Sequence, residues 1–151
     1  MTEHSFTLFA DYFQFYLQDE HYDDEPDLDY DEAATTRILV EDTRLTVLTA
    51  RNMDVPVTVA ITDTAPPCDL SQWDHVIEAS IASPSGKLAI AGCTDYLPEA
   101  ARIAVPPGPL RIRALFGNLD KLSDNRLDGE DHYRLEIWPA QNGPSQTLKQ
   151  G

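Results

Sequence analysis

Positive charge is scarce in this sequence: 11 Lys and Arg stand against 26 Asp and Glu, giving a formal net charge of -15 and a pI near 4.3. That balance argues against binding nucleic acid or an anionic membrane, both of which are read through Lys/Arg patches. It suits a basic partner, a cation, or an acidic protein kept in solution by its charge. Long hydrophobic runs are missing too. No window approaches the ~18 uninterrupted apolar residues of a transmembrane helix, so none is expected. The opening Met1-Thr2-Glu3-His4-Ser5 has neither a basic n-region nor an apolar h-region, so no secretory signal is expected and a cytoplasmic setting is. Cysteine is down to two, Cys68 and Cys93, too few for a disulfide framework, and a cytoplasmic chain keeps them reduced.

The signatures of common catalytic chemistry are equally absent. There is no G-x-S-x-G elbow, no P-loop, no dinucleotide fingerprint and no H-E-x-x-H pair. His4, His21, His75 and His132 are scattered without ligand spacing, which argues against structural zinc. A cysteine nucleophile needs a histidine within reach and a depressed thiol pKa. Cys68 follows Pro66-Pro67 and Cys93 follows Gly92; both read as small buried residues. No carboxylate pair is singled out for glycoside hydrolysis. Neither an enzyme nor a cofactor is expected.

What the chain does have is one dense acidic run. Asp19 to Glu32 (DEHYDDEPDLDYDE) holds nine carboxylates and no Lys or Arg, and leaves 17 acids against 11 bases in the remainder. So many like charges repel one another and bring little to bury, which predicts an exposed loop. Its exit, Asp31 to Arg37, suits a short helix with acids in the first turn. Asp27-Leu28-Asp29-Tyr30-Asp31 offers alternating oxygens to calcium, but an EF-hand loop begun at Asp27 would need Gly and Glu where Glu32 and Ile38 stand. A weak calcium site stays as an alternative to a solvated loop. The second cluster, Asp124 with Asp128-Gly129-Glu130-Asp131, has Arg126 at a ligand position and reads as a plain hydrophilic loop.

The rest reads as strands. Phe6 to Leu17 is aromatic-rich, with an apolar parity that shifts near Ala10-Asp11 and predicts a bulge there. Ile38-Leu39-Val40 and Leu45 to Thr49 precede a clean alternation of Val55, Val57, Val59 and Ile61, in which Pro56 marks a strand start or an edge. His75–Ala82 and Lys87–Gly92 flank Ser83-Pro84-Ser85-Gly86, whose residues fit a type I turn and predict a hairpin. A similar unit follows: Arg102–Val105, then Pro106-Pro107-Gly108-Pro109, then Leu110, Ile112, Ala114 and Phe116 alternating with Arg111 and Arg113. After a polar loop, His132–Trp138 closes the series with Tyr133, Leu135 and Ile137 inward, and 141–151 reads as a frayed, flexible tail. Seven or eight short strands with turns between them predict a mostly β protein: a single-domain antiparallel β-sandwich over 1–140, with the acidic loop at 19–32. Trp73 and Trp138 are expected to close the ends of its core rather than anchor an interface.

Three stretches carry a family resemblance. Tyr12-Phe13-Gln14-Phe15-Tyr16, the Pro-Gly turn into Leu110-Arg111-Ile112-Arg113, and the closing His132-Tyr133-Arg134-Leu135-Glu136-Ile137-Trp138-Pro139 resemble competence protein J. The resemblance follows strand order through most of the chain and rests on core and turn residues. It implies a small bacterial cytosolic protein that inhibits a partner DNA-entry nuclease; no residue roles are carried over from it.

Charge and resemblance together lead to the expectation of an acidic binding protein that neutralises a basic partner, a nuclease or a toxin, as an inhibitor or immunity-type protein. A rigid array of carboxylates can occupy a phosphate-binding groove in place of nucleic acid. The residues expected to make the contact are Asp19, Glu20, Asp23, Asp24, Glu25, Asp27, Asp29, Asp31 and Glu32, with Tyr22 and Tyr30 adding ring area beside them. The alternatives are a β-sandwich that binds calcium, a small ligand or carbohydrate, and a protein whose charge serves solubility alone.

Overall fold

The alternating apolar positions become strands in a computed structural model, which describes residues 2–23 and 30–151. In chain order these are β1 (Thr2–Phe9), β2 (Gln14–Asp19), the helix α1 (Tyr30–Thr36), β3 (Ile38–Val40), β4 (Arg44–Leu48), β5 (Asp54–Ile61), β6 (His75–Ser83), β7 (Lys87–Gly92), β8 (Ala101–Ala104), β9 (Gly108–Gly117), β10 (His132–Pro139) and β11 (Gln146–Lys149). A six-stranded sheet runs β1-β5-β10-β9-β6-β11 and a five-stranded sheet runs β3-β4-β2-β7-β8. The mostly β class and the sandwich-like arrangement agree with the sequence reading, but the described residues form eleven strands, not seven or eight. They are not all antiparallel, since β5 and β10 run parallel, with Val57 opposite Tyr133.

The two sheets share one core. Phe15, Leu17, Leu45, Val47, Leu88 and Ile90 from the smaller sheet meet Val55, Val57, Val59, Ile77, Ile112, Phe116, Leu135 and Ile137 from the larger. Tyr133 ties the layers together, with Phe15 edge-on at 6.0 Å and Phe116 edge-on at 5.6 Å. Pro56 is exposed and lies just ahead of the stretch of β5 that pairs with β10, so its missing N–H falls at the strand start.

Three links read from the sequence as local features are crossings between the sheets. The expected bulge near Ala10-Asp11 is the point where the chain leaves the larger sheet after β1 and enters the smaller one as β2. Tyr12 and Phe13 turn it with left-handed backbone (φ 58° and 59°), and Ala10 N–H bonds Met53 O at 3.0 Å. The crossing is tight against β7: a Cβ on Gly92 would stand 2.0 Å from Phe9 O. The expected hairpin at Ser83–Gly86 turns where it should, closed by Gly86 N–H to Ser83 O at 3.2 Å with Gly86 at φ +75°. Its arms do not pair, because β6 lies in one sheet and β7 in the other. A type I turn splays its arms rather than matching hairpin twist, and here Ile81 and Leu88 both enter the core, one from each sheet. The Pro106–Pro109 link crosses back in the same way.

The outer face of the larger sheet carries a ladder of charge. Arg111 and Arg113 reach Glu78 at 3.4 and 3.1 Å, Arg113 reaches Glu136 at 3.0 Å, and Arg134 bridges Glu136 and Glu3 at 3.2 Å each. Arg113 also donates to Pro66 O at 2.8 Å, so the 62–74 segment lies over the ladder. Opposite charges on neighbouring strands favour this register. Trp138 is buried with the Arg113 guanidinium 5.1 Å from its ring, and half-buried Trp73 packs on His132 at 5.1 Å. The expected frayed tail gives way to β11, which pairs with β6 through Gln146–Glu78 and Thr147–Ile77.

Candidate partner interface

The acidic run begins at the end of β2, and its first residue is drawn into the fold. Asp19 is 3% exposed. One carboxylate oxygen accepts the Ser83 and Ser85 hydroxyls at 2.7 Å each and Ser85 N–H at 3.2 Å; the other accepts His21 N–H at 3.1 Å. Burial alone would raise its pKa, but the hydrogen bonds from Ser85, Ser83 and the two backbone groups outweigh it and hold the carboxyl below its ordinary value. Asp19 therefore pins β2 to the crossing between β6 and β7.

Tyr22 is held as well. Its N–H closes a turn on Asp19 O at 2.9 Å, and its hydroxyl donates to Glu41 and accepts from Arg44 Nη1 at 3.1 Å. The Arg44 guanidinium is sandwiched between rings, 3.5 Å from the centroid of Tyr16 and 4.8 Å from that of Tyr22. Burial, with the Glu41 hydrogen bond, raises the Tyr22 pKa, and burial with the Cys93 thiol as neighbour pushes Tyr16 up to about 12.

Glu20 is half-buried and lies 3.5 Å from the exposed His21, while Asp23 is exposed. Asp24, Glu25, Asp27 and Asp29, with most of the candidate calcium alternation, lie outside the described residues. Tyr30, Asp31 and Glu32 open α1, the short helix expected at the exit of the run. Behind it, Ala33 is buried and Arg37 N–H bonds Ala33 O at 2.9 Å. The helix end is fixed by His75, fully buried, whose Nε2–H donates to Thr36 O at 2.8 Å while its Nδ1 accepts Gly151 N–H at 3.1 Å. With one nitrogen donating and the other accepting, the imidazole is neutral. Burial lowers its pKa further.

Two acids missed in the sequence stand beside this segment. Glu41 and Asp42 form the turn between β3 and β4; Asp42 is exposed and Glu41 holds Tyr22. Nothing in their spacing pointed to the acidic run, because only the pairing of β2 with β4 brings them to it. The second acidic cluster is corrected in part. Asp131, read as belonging to a hydrophilic loop, is fully buried, accepting Arg51 Nε at 2.8 Å and the Tyr133 hydroxyl at 2.6 Å. Tyr133 in turn accepts Ala50 N–H at 2.8 Å, and burial with the Asp131 bond raises its pKa far above the ordinary phenol value.

Cys68 and Cys93 are free and half-buried rather than fully buried, and burial pushes the Cys68 thiol up, away from nucleophile character. Among the described residues, no group of three or more His, Cys, Asp or Glu is placed to hold a metal ion. No described helix is long and apolar enough to cross a membrane.

Four arginines, Arg51, Arg111, Arg113 and Arg134, are spent on internal carboxylates. The net negative charge therefore falls on the exposed acids, which have little positive surface to offset them.

No family model matches the chain, and no curated protein matches it in sequence. Two solved structures share its fold. One is ComJ, inhibitor of the DNA degrading activity of NucA, from Bacillus subtilis, with a TM-score of 0.67 at 13% identity over 93% of this chain and 96% of that one. The other is the crocagin biosynthetic gene J product, with a TM-score of 0.62 at 18% identity over 93% of this chain and all of that one, 100%. At these identities the likeness is one of fold.

Proposed function

We propose that this protein is a nuclease inhibitor: an acidic binding protein, without catalysis of its own, that blocks the basic nucleic-acid groove of a partner enzyme. The observation that carries the proposal is the fold shared with ComJ, itself an inhibitor of a nuclease, across nearly the whole length of both chains. Fold alone does not fix function, and the charge supports the same direction. The contact surface is the acidic run between β2 and α1. It comprises Glu20 and Asp23, the acids Asp24, Glu25, Asp27, Asp29, Asp31 and Glu32 that the sequence adds, and Tyr30.

Asp19 and Tyr22 have a different part in this proposal. They fasten the start of the run to β4 and to the β6–β7 crossing, which lowers the entropy lost when its acids engage a partner. Glu41 and Asp42 extend the negative surface. The field of such a surface would speed encounter with a basic enzyme by roughly 10–10³-fold at low ionic strength, and the gain would fade as salt rises.

The test is capture of a partner from the source cell's lysate on the tagged protein, at low and high salt, followed by a nuclease assay of the captured enzyme. A stoichiometric basic nuclease that leaves at high salt and is silenced by added protein is the expected result. Retention of no nuclease at low salt would overturn the assignment.

A further inference from the structure

An open surface cavity of about 420 Å³ is lined by Phe13, Arg37, Thr49, Ala50, Leu119 and Arg126. In a chain of net charge -15 its lining residues include two arginines and no Asp or Glu. Neither arginine has an acidic partner among the described residues. Arg37 donates once, weakly, to Gly151 O at 3.4 Å, and its Nε is buried with no partner. Arg126 is the one arginine whose side chain bonds no other described residue.

The walls are held in place. Thr49 N–H bonds Phe13 O, and Asn52 N–H bonds Arg126 O, each at 2.9 Å. Asp131, which accepts from Arg51 and from the Tyr133 hydroxyl, is not among the lining residues.

Backbone strain gathers at the same place. Among the described residues, five other than glycine have positive φ: Tyr12, Phe13, Arg37, Asn118 and Arg126. Three of them line the cavity, and the other two each adjoin a lining residue in sequence. Left-handed backbone in non-glycine residues costs energy and concentrates where a site demands it. The volume falls in the ~300–1,000 Å³ range of small-molecule sites, which pair an apolar body with a few placed polar groups. Phe13 and Leu119 offer the apolar walls, and the two arginines offer forked donors matched to a carboxylate or phosphate.

We infer that this cavity binds a small organic anion, with its carboxylate or phosphate on Arg37 and Arg126 and its apolar body between Phe13 and Leu119. The inference does not rest on the nuclease reading and is tested on the protein alone, so its failure says nothing about nuclease inhibition.

The probes are phenyl phosphate, benzoate, inorganic phosphate and benzyl alcohol, followed by backbone amide NMR and calorimetric titration of the full chain. Phenyl phosphate or benzoate should shift the amides of Thr49, Ala50 and Leu119, and benzyl alcohol should not. Arg126→Gln removes an exposed side chain that bonds nothing in the fold, so it should leave the melting temperature unchanged and weaken binding roughly tenfold or more. Arg37→Gln should weaken it similarly, and Lys87→Gln should not. Inorganic phosphate binding as tightly as phenyl phosphate would support the two-arginine site and refute the apolar half of the inference. Benzyl alcohol binding as well as benzoate, or an Arg126→Gln variant with parental affinity, would overturn the anion site altogether.

Discussion

Replacing Asp19 by Ala should destabilise the folded protein, although Asp19 opens the acidic run. Its carboxylate receives four hydrogen bonds, two of them short side-chain bonds at 2.7 Å from Ser83 and Ser85. Hydrogen bonds to an ionised group contribute about 1.5–3 kcal/mol each. Both hydroxyls have a fallback in Lys87 O, at 3.5 and 3.2 Å, and removing a buried charge returns part of its desolvation cost. The net loss should be about 2–4 kcal/mol, or about 5–15 °C in melting temperature for a domain of this size. Thermal unfolding followed by circular dichroism at pH 7 measures it. The sign with pH follows from the depressed carboxyl. Its stabilisation is complete above the ordinary value of 3.8 and is lost as the pH falls through the lower folded value, so parent and variant should converge in acid. A variant melting within about 1 °C of the parent at pH 7 would refute the role given to these bonds.

The acids that follow Asp19 in the run should behave in the opposite way. Glu20→Gln, Asp23→Asn, Asp24→Asn and Glu25→Gln together should slow association with the captured nuclease about tenfold or more at low salt. They should shift stability by no more than about 0.5 kcal/mol each; unchanged association kinetics would refute the contact surface. Buried neutral His75 has a folded pKa below its ordinary 6.5, so the unfolded chain takes up the proton first. Stability should fall as the pH drops below 6.5, by at most about 1.4 kcal/mol per pH unit, until the folded value is passed. Denaturant titrations at pH 7.5 and 5.5 should show this loss in the parent and less of it in His75→Gln; equal losses would refute it. Asp131→Ala leaves half-buried Arg51 without its carboxylate and the buried Tyr133 hydroxyl without its acceptor, and should cost about 3–5 kcal/mol in urea unfolding. A cost below about 1 kcal/mol would show that these groups find other partners.

Much of the fold was legible because a strand's pattern has a period of two residues and is local. The alternations Val55-Val57-Val59 and Tyr133-Leu135-Ile137 are buried as read, and the Ser83–Gly86 turn falls where Pro and Gly put it. The helix at the exit of the acidic run was also readable, from its acids and alanines. The tail was misread because Gln146–Lys149 is polar and short; only an open edge of β6 gives it a partner.

The sequence by itself determined the β class, the excess of negative charge and its concentration before α1, since composition and two-residue periodicity require no knowledge of neighbours. Only the tertiary structure decided whether a turn joins paired strands or carries the chain across the core, because a turn fixes reversal and not hydrogen-bonding partner. It also decided which charges are available. Asp19 and Asp131 look like their neighbours in sequence, yet both are buried and bonded, and four arginines are spent on internal carboxylates. Arg37 and Arg126, distant in the chain, line one cavity without a carboxylate. Burial and pairing set the energy of a charge, and both depend on residues far along the chain.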